Sequence, residues 1–147
     1  MLHIKQQKSK DSEMDSKTKA FMEATTAVPN YIIYDISSTE DAYAKVIESA
    51  NNTDIPDAIV CTNDGVALGV LKAAEDLGLR VPEDLKIVGF DNSGISKYTN
   101  PSITTVDIDS EEIGEIVVDL LLKKTRGEET ADIKFIPKLI VRCSTKK

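Results

Sequence analysis

Short β-rich runs alternate along this chain with longer stretches of helical periodicity, and no other feature constrains the fold as much. The runs are 31–36 (Tyr-Ile-Ile-Tyr-Asp-Ile), 58–61 (Ala-Ile-Val-Cys), 85–90 (Leu-Lys-Ile-Val-Gly-Phe), 103–108 (Ile-Thr-Thr-Val-Asp-Ile), 133–136 and 138–142. Pro137 separates the last two and has no N–H for a ladder, so they are expected as an edge strand or as two strands joined at a break. Strands alternating with helices imply βαβ crossovers and an α/β fold: an open, mostly parallel sheet flanked by helices. Parallel strands are covered on both faces, which explains runs that are apolar throughout.

Four stretches read as helices. Residues 12–26 carry Met14, Phe21, Met22 and Thr25 at loose helical spacing. In 38–51 the stripe is Ala42, Tyr43, Val46, Ile47 and Ala50, and Ser37 with Glu40 makes a capping-box pattern. In 64–77 it is Val66, Ala67, Val70, Leu71, Ala74 and Leu77, with Gly78 supplying the left-handed residue past the end. In 110–126 it is Ile113, Ile116, Val117, Leu120 and Leu121, capped by Asp109 or Ser110 and ended by Gly127.

The charge balance disfavours several functions. With 18 Lys and Arg against 25 Asp and Glu, the net charge is −7. Nucleic-acid binders displace phosphate counterions with dense positive charge, and here the basic clusters are short: Lys123-Lys124 with Arg126, and Lys146-Lys147. DNA contact by these residues is not expected. No run reaches the roughly 20 apolar residues of a membrane span, and the first residues lack a signal-peptide core, which points to the cytoplasm. Cys61 and Cys143 sit in apolar surroundings far apart in sequence; a disulfide is one reading, and two buried free thiols in a reducing compartment is the preferred one. His3, the sole histidine, lies in a terminus that reads as irregular, so no metal or cofactor site is expected. No phosphate-cradling glycine loop and no Gly-x-Ser-x-Gly elbow is present, which disfavours an enzyme.

Open parallel sheets bind ligands beyond the carboxyl ends of their strands, where the strand order reverses. That rule nominates Asp35, the loop Thr62-Asn63-Asp64-Gly65 and the loop Asp91-Asn92-Ser93-Gly94. Asn63 or Asp64 can cap the helix that follows; alternatively the Asn63 amide, both donor and acceptor, faces a hydroxyl-rich ligand. Asp91 either accepts two ligand hydroxyls or starts an Asx-turn. Gly89 suggests close backbone approach.

One resemblance runs from Pro56 to Thr145. Pro56-Asp57-Ala58-Ile59-Val60-Cys61-Thr62-Asn63-Asp64, Ala67-Leu68-Gly69, Gly78-Leu79-Arg80-Val81-Pro82-Glu83-Asp84-Leu85-Lys86-Ile87-Val88-Gly89-Phe90-Asp91-Asn92, Pro101-Ser102-Ile103-Thr104-Thr105-Val106, Gly114 and Val141-Arg142-Cys143-Ser144-Thr145 follow in order. Together they resemble the C-terminal part of the effector-binding domain of LacI/GalR-family transcriptional repressors. Leu2-His3-Ile4-Lys5 falls where that family has a strand, and Lys17 to Phe21 where it has a helix start.

The resemblance implies a periplasmic-binding-protein-like fold of two lobes with a small molecule, a sugar or sugar derivative, between them. It implies that residues 1–147 hold the C-terminal lobe, that helix 110–126 belongs with the other lobe, and that the DNA-binding head falls outside this chain. Operator DNA would then be reached only through that helix-turn-helix. Carried over by position, Asn63 and Asp91 match the family's polar contacts to ligand. Lys17 stands where the family commonly has an arginine, Ile36 where many members place an aromatic ring, and Ser110 where others have an apolar or aromatic residue. The family dimerises through this lobe, which nominates Leu68, Leu71, Ile95 and Tyr98; Leu71 alternatively fills its own core. Without the other lobe, the 110–126 stripe is expected to self-associate or repack. A solute-binding protein of a sugar transporter shares the fold and is the alternative reading.

Overall fold

The computed structural model describes residues 2–4, 16–27, 31–33, 36, 38–52 and 55–146. Its elements are β1 (Leu2–Ile4), α1 (Ser16–Ala24), β2 (Tyr31–Ile33), α2 (Thr39–Asn52), β3 (Ala58–Cys61), α3 (Asp64–Asp76), β4 (Lys86–Phe90), α4 (Gly94–Tyr98), β5 (Thr104–Asp107), α5 (Ser110–Thr125) and β6 (Lys138–Ile140). One sheet runs in the order β2-β1-β3-β4-β5-β6, with every pairing parallel except the last. The chain winds outward from β1 in both directions, so the strand order reverses beside β1 and β3. That is where a doubly wound sheet opens a crevice.

The expected open parallel sheet is the observed one, with three local corrections. His3 lies in β1, inside the sheet, and not in an irregular terminus. Residues 133–136 form no strand; β6 starts directly after Pro137 and pairs antiparallel at the edge, Asp107 opposite Lys138. The loop after Ser93 contains a one-turn helix, α4, that the apolar pattern did not announce. Asp35, Ser37 and residues 12–15 lie outside the described residues. The described cap of α2 is Ser38, whose Oγ accepts from the Asp41 N–H at 3.0 Å.

The core forms where α2 and α3 cover one face of the sheet. Ile59, Cys61 and Ile87 from the strands meet Ala42 and Val46 from α2 and Val66, Ala67, Val70 and Ala74 from α3, all buried. The helices are further clasped by polar contacts: Thr39 Oγ1 donates to the Gly65 carbonyl at 2.9 Å and Tyr43 Oη to Asp76 Oδ2 at 2.9 Å. Burial pushes the Cys61 thiol up, with the Asp64 charge adding to it, so Cys61 is a poor nucleophile. Cys143 is a free thiol too, but exposed, contrary to the expectation of two buried ones. Cys143 lies past the end of β6, outside the buried apolar cluster.

The opposite face of the sheet is less covered. Val60, Val88, Phe90 and Val106 are only half-buried. With Phe21 and Lys17 of α1 they line a cleft of about 450 Å³. Every described residue of α5 is exposed or half-exposed, with none buried. No helix among the described residues is long and apolar enough to cross a membrane.

Candidate functional site

The site is assembled at the carboxyl ends of β3 and β4. β3 passes directly into α3 through Thr62 and Asn63. Asn63 is the N-cap: its backbone is extended and its Oδ1 accepts from the Val66 N–H at 2.8 Å. An extended residue with a short polar side chain satisfies one of the otherwise orphaned first-turn amides. The capping role is therefore realised through Oδ1, and Nδ2 has no partner among the described residues.

Asp64, the next residue, does different work. It is buried, and its carboxylate accepts from the Ser93 N–H at 2.7 Å, from Ser93 Oγ at 3.1 Å and from Thr105 Oγ1 at 2.6 Å. It ties the start of α3 to β5 and to the loop after β4. Its path to that loop crosses Gly89, where a Cβ would collide with Asp64 Oδ1. The close approach read into Gly89 is thus real, and its beneficiary is Asp64.

Asn92 is held even more firmly. Its N–H donates to Thr105 Oγ1 at 3.2 Å and its Nδ2 to Asp107 Oδ2 at 3.1 Å, while its Oδ1 accepts from Arg142 Nη2 at 2.6 Å. Arg142 Nη1 also donates to Ser96 Oγ at 2.9 Å and to the Ile103 carbonyl at 2.8 Å. Ser144 Oγ completes the strap, donating to the Ile87 carbonyl at 2.6 Å and accepting from the Thr104 N–H at 2.8 Å. Sequence reasoning did not nominate Arg142 or the Asp64 clasp. Arg142's partners lie 39, 46 and 50 residues away, so no local pattern marks them.

Between these two anchors stands Asp91. Its backbone is left-handed, φ 91°, as is that of Asn92, φ 49°. A non-glycine residue held there costs about 1–3 kcal/mol and persists only when its surroundings over-determine it. Ser93 and Asn92 spend their side chains on the framework. The Asp91 carboxylate does not: it is about half exposed and its one described ion pair is with Lys17 Nζ, at 4.0 Å. At that distance and exposure the pair contributes little to stability and is easily exchanged for another partner.

Lys17 reaches the same spot from α1. Its Nζ donates to the Thr62 carbonyl at 3.0 Å and lies 3.7 Å above the centroid of the Phe90 ring. A cation over an aromatic face at this range is attracted by the ring quadrupole. Lys17, Asn63 and Asp91 thus converge on one corner of the sheet. The other two nominated ligand residues do not join them. Ile36 is 0% exposed within the core and offers no surface to a ligand. Ser110 sits in the exposed first turn of α5, behind the cap Asp109, without a described contact to this corner. Of the seam residues, Ile95 and Tyr98 are exposed, Leu68 is half-buried and Leu71 is a core residue.

The lobe is doubly wound, its polar loops are braced at the strand ends, and the half-exposed Asp91 carboxylate stands outside that bracing. The chain belongs to the periplasmic binding protein-like domain family, whose model matches residues 2–145. The HTH-type transcriptional repressor PurR of Histophilus somni (strain 129Pt) is 33% identical over 131 residues, which cover 87% of this chain and 39% of that repressor. The structure of a LacI family transcriptional regulator from Bifidobacterium animalis subsp. lactis superimposes with a TM-score of 0.87 at 26% identity, over 98% of this chain and 54% of the regulator. The lac repressor dimer, solved bound to operator and the anti-inducer ONPF, superimposes with a TM-score of 0.75 at 25% identity, over 86% of this chain and 39% of the repressor. The chain therefore spans about 39% of the length of the curated repressor it matches. The likeness to LacI-type effector domains seen in the sequence holds.

Proposed function

We propose that this chain is the ligand-sensing part of a LacI-type transcriptional regulator, acting in the cytoplasm and without catalysis. It binds a small hydroxyl-bearing effector, a sugar or sugar derivative, through Asp91, Lys17 and the Asn63 amide. The observation that carries this reading is the half-exposed Asp91 carboxylate, which the surrounding framework does not use. It is held in a left-handed conformation just before the fully engaged Asn92 and Ser93, and its ion pair with Lys17, at 4.0 Å, is long enough to be exchanged for a ligand. The Asp91 carboxylate accepts ligand hydroxyls, Lys17 and Asn63 Nδ2 donate to ligand oxygens, and Phe90 with Val106 gives an apolar wall.

The regulatory step follows from differential affinity. An effector that bridges this lobe to a second one favours the closed arrangement and shifts the population toward it. A helix-turn-helix attached beyond these residues would feel that shift as a change in operator affinity, and reciprocally. α5, with none of its residues buried, is the element we assign to that second lobe. Pairing of two copies runs through Leu68, Leu71, Ile95 and Tyr98. The seam reading is supported by the 85% exposure of Tyr98 and by a groove of about 300 Å³ lined by Leu68, Leu71, Val81 and Pro101. The transporter alternative is not favoured, because the relatives are transcriptional repressors.

The test is a calorimetric titration of the chain with a panel of sugars and sugar phosphates, repeated with Asp91→Asn. Asparagine tolerates the left-handed backbone, so the substitution removes the charge and spares the fold. An affinity for one panel member that falls about tenfold or more in the variant supports the site, since a hydrogen bond to a charged group contributes about 1.5–3 kcal/mol. Unchanged affinity in the variant refutes it.

A further inference from the structure

We infer that the cleft beneath α1 receives an aromatic group of the effector, so that the ligand carries a ring beside the hydroxyls that Asp91 takes. The inference rests on the site proposed above and extends it. The register of the sheet builds the floor of the cleft. Val60 lies opposite Val88, and Phe90 opposite Val106, in neighbouring strands. Val88 and Phe90 are two residues apart on β4, so all four share one face of the sheet. They are only half-buried, whereas Ile59 and Ile87, on the other face of the same strands, are closed over by α2 and α3. α1 forms the roof. Lys17, Ala20 and Phe21 stand at i, i+3 and i+4, one face of a helix, and all three line the cleft.

Size and lining choose the occupant. Folded interiors leave few voids larger than a water molecule, and an apolar cavity of about 150 Å³ already holds benzene. The cleft measures about 450 Å³. Small-molecule sites run from roughly 300 to 1,000 Å³ and combine apolar walls with a few placed polar groups. A bare sugar would engage Asp91, Lys17 and the Asn63 amide and leave Val60 and Val88 facing water. Phe21 and Phe90 both line the cleft, and aromatic rings gain from edge-to-face or offset contact with a further ring. Lys17 shows where head and ring would meet. It lines the cleft, its Nζ lies 3.7 Å from the centroid of the Phe90 ring, and it pairs with Asp91 at 4.0 Å. The cleft therefore opens beside the carboxylate, and a ligand whose hydroxyls reach Asp91 has its next atoms at that opening.

The test is a calorimetric titration of the full 147-residue chain with methyl and phenyl glycosides of the same sugars, and with phenol alone. The phenyl member of the recognised sugar should bind about tenfold or more tighter than its methyl counterpart, the gain expected for burying a ring. Ala20→Trp puts a large side chain into the cleft from an exposed position on α1, so it should erase that ratio while the circular dichroism is unchanged. Val88→Phe fills the same space from the floor and should give the same result. Asp91→Asn should weaken both glycosides together and preserve the ratio. Equal affinity for the two series, or a ratio that survives both filling variants, overturns the cleft assignment and leaves the Asp91 reading standing. Phenol bound by the chain and lost in Ala20→Trp, with no glycoside bound, supports an aromatic ligand in the cleft and overturns the hydroxyl-binding reading instead. Binding of none of the three overturns both.

Discussion

α3 and α5 carry the same kind of apolar stripe, yet α3 buries eight of its 13 residues and α5 none of its 16. Both begin at a capped end, Asn63 for one and Asp109 for the other, and both end at a left-handed glycine. Local chemistry does not separate them. The difference is what stands opposite. α3 lies on the sheet with α2 against it, and its cap residue is followed by Asp64, which is wired to two other elements. α5 follows β5, and nothing among the described residues covers it. Periodicity states which face of a helix should be covered; whether it is covered depends on the rest of the fold.

The largest test of that contrast removes the wiring. Asp64→Ala strips the acceptor from the Ser93 amide, the Ser93 hydroxyl and the Thr105 hydroxyl at once. The Thr105 donor is buried and the two Ser93 donors part-buried, and a buried donor left without an acceptor costs about 1–3 kcal/mol. We expect a loss of about 2–4 kcal/mol, read as a fall in the denaturant midpoint at unchanged slope. A loss under about 1 kcal/mol would mean that water replaces the carboxylate and that the loop is not held from α3.

Next comes a matched pair of truncations. Ile87→Ala, in the core beneath α3, should cost about 2–5 kcal/mol. Leu121→Ala, on α5, should change the stability of the monomer by less than about 0.5 kcal/mol. If the two cost the same, α5 is covered in solution and the contrast between the helices dissolves.

A smaller effect of opposite sign is expected at the site. Asp91→Gly relieves the left-handed backbone, φ 91°, and should stabilise the fold by about 1 kcal/mol while it removes the carboxylate assigned to the effector. Gain of stability together with loss of binding is the pattern of a residue kept for function at the expense of the fold. Destabilisation would instead make Asp91 part of the framework.

Much of this was legible because it is local. The alternation of runs gave the parallel sheet, Gly78 the end of α3, and Gly89 the close approach. What depends on distant neighbours was not legible. Ile36 reads as a strand-end residue at the crevice, and only its packing among α2 and α3 residues buries it. The run 133–136 is as apolar as true strands, but after β6 is laid on β5 it pairs with no strand. Conversely, β1 is three residues long and offers no periodicity to detect; only the family resemblance at Leu2-His3-Ile4-Lys5 marked it as a strand, and its neighbours on both sides make it an interior one. Arg142 has an unremarkable local context and acquires its role from Asn92, Ser96 and Ile103. Of the site, Asn63 and Asp91 were nominated by the strand-end rule and Lys17 through the family resemblance, and the geometry that joins them belongs to the tertiary fold.

The smallest expected effect lies at the rim of the α2–α3 contact, where Tyr43, Lys72 and Asp76 meet on the surface. Lys72 lies 3.1 Å from Asp76, and the Tyr43 hydroxyl donates to the same carboxylate. The hydrogen bond from Lys72, then the one from Tyr43, lowers the Asp76 pKa from 3.8. Hydrogen bonding to Asp76 raises the Tyr43 pKa from 10.0, and contacts with Glu75 and Asp76 raise that of Lys72 from 10.5. A lowered carboxylate stabilises the fold above its unfolded pKa, and this contribution fades as pH falls through the folded one. A raised phenol or ammonium contributes below its unfolded pKa and loses that contribution as pH rises through the folded value. The clasp should therefore work between about pH 4 and pH 10 and weaken on both sides. All three groups are solvent-exposed, so salt screens the contribution and keeps it small. Tyr43→Phe should lower stability slightly at neutral pH and flatten the alkaline limb of the profile, with α5 variants leaving both limbs untouched. An alkaline limb unchanged in Tyr43→Phe would show that the Tyr43–Asp76 contact does not help to join α2 and α3.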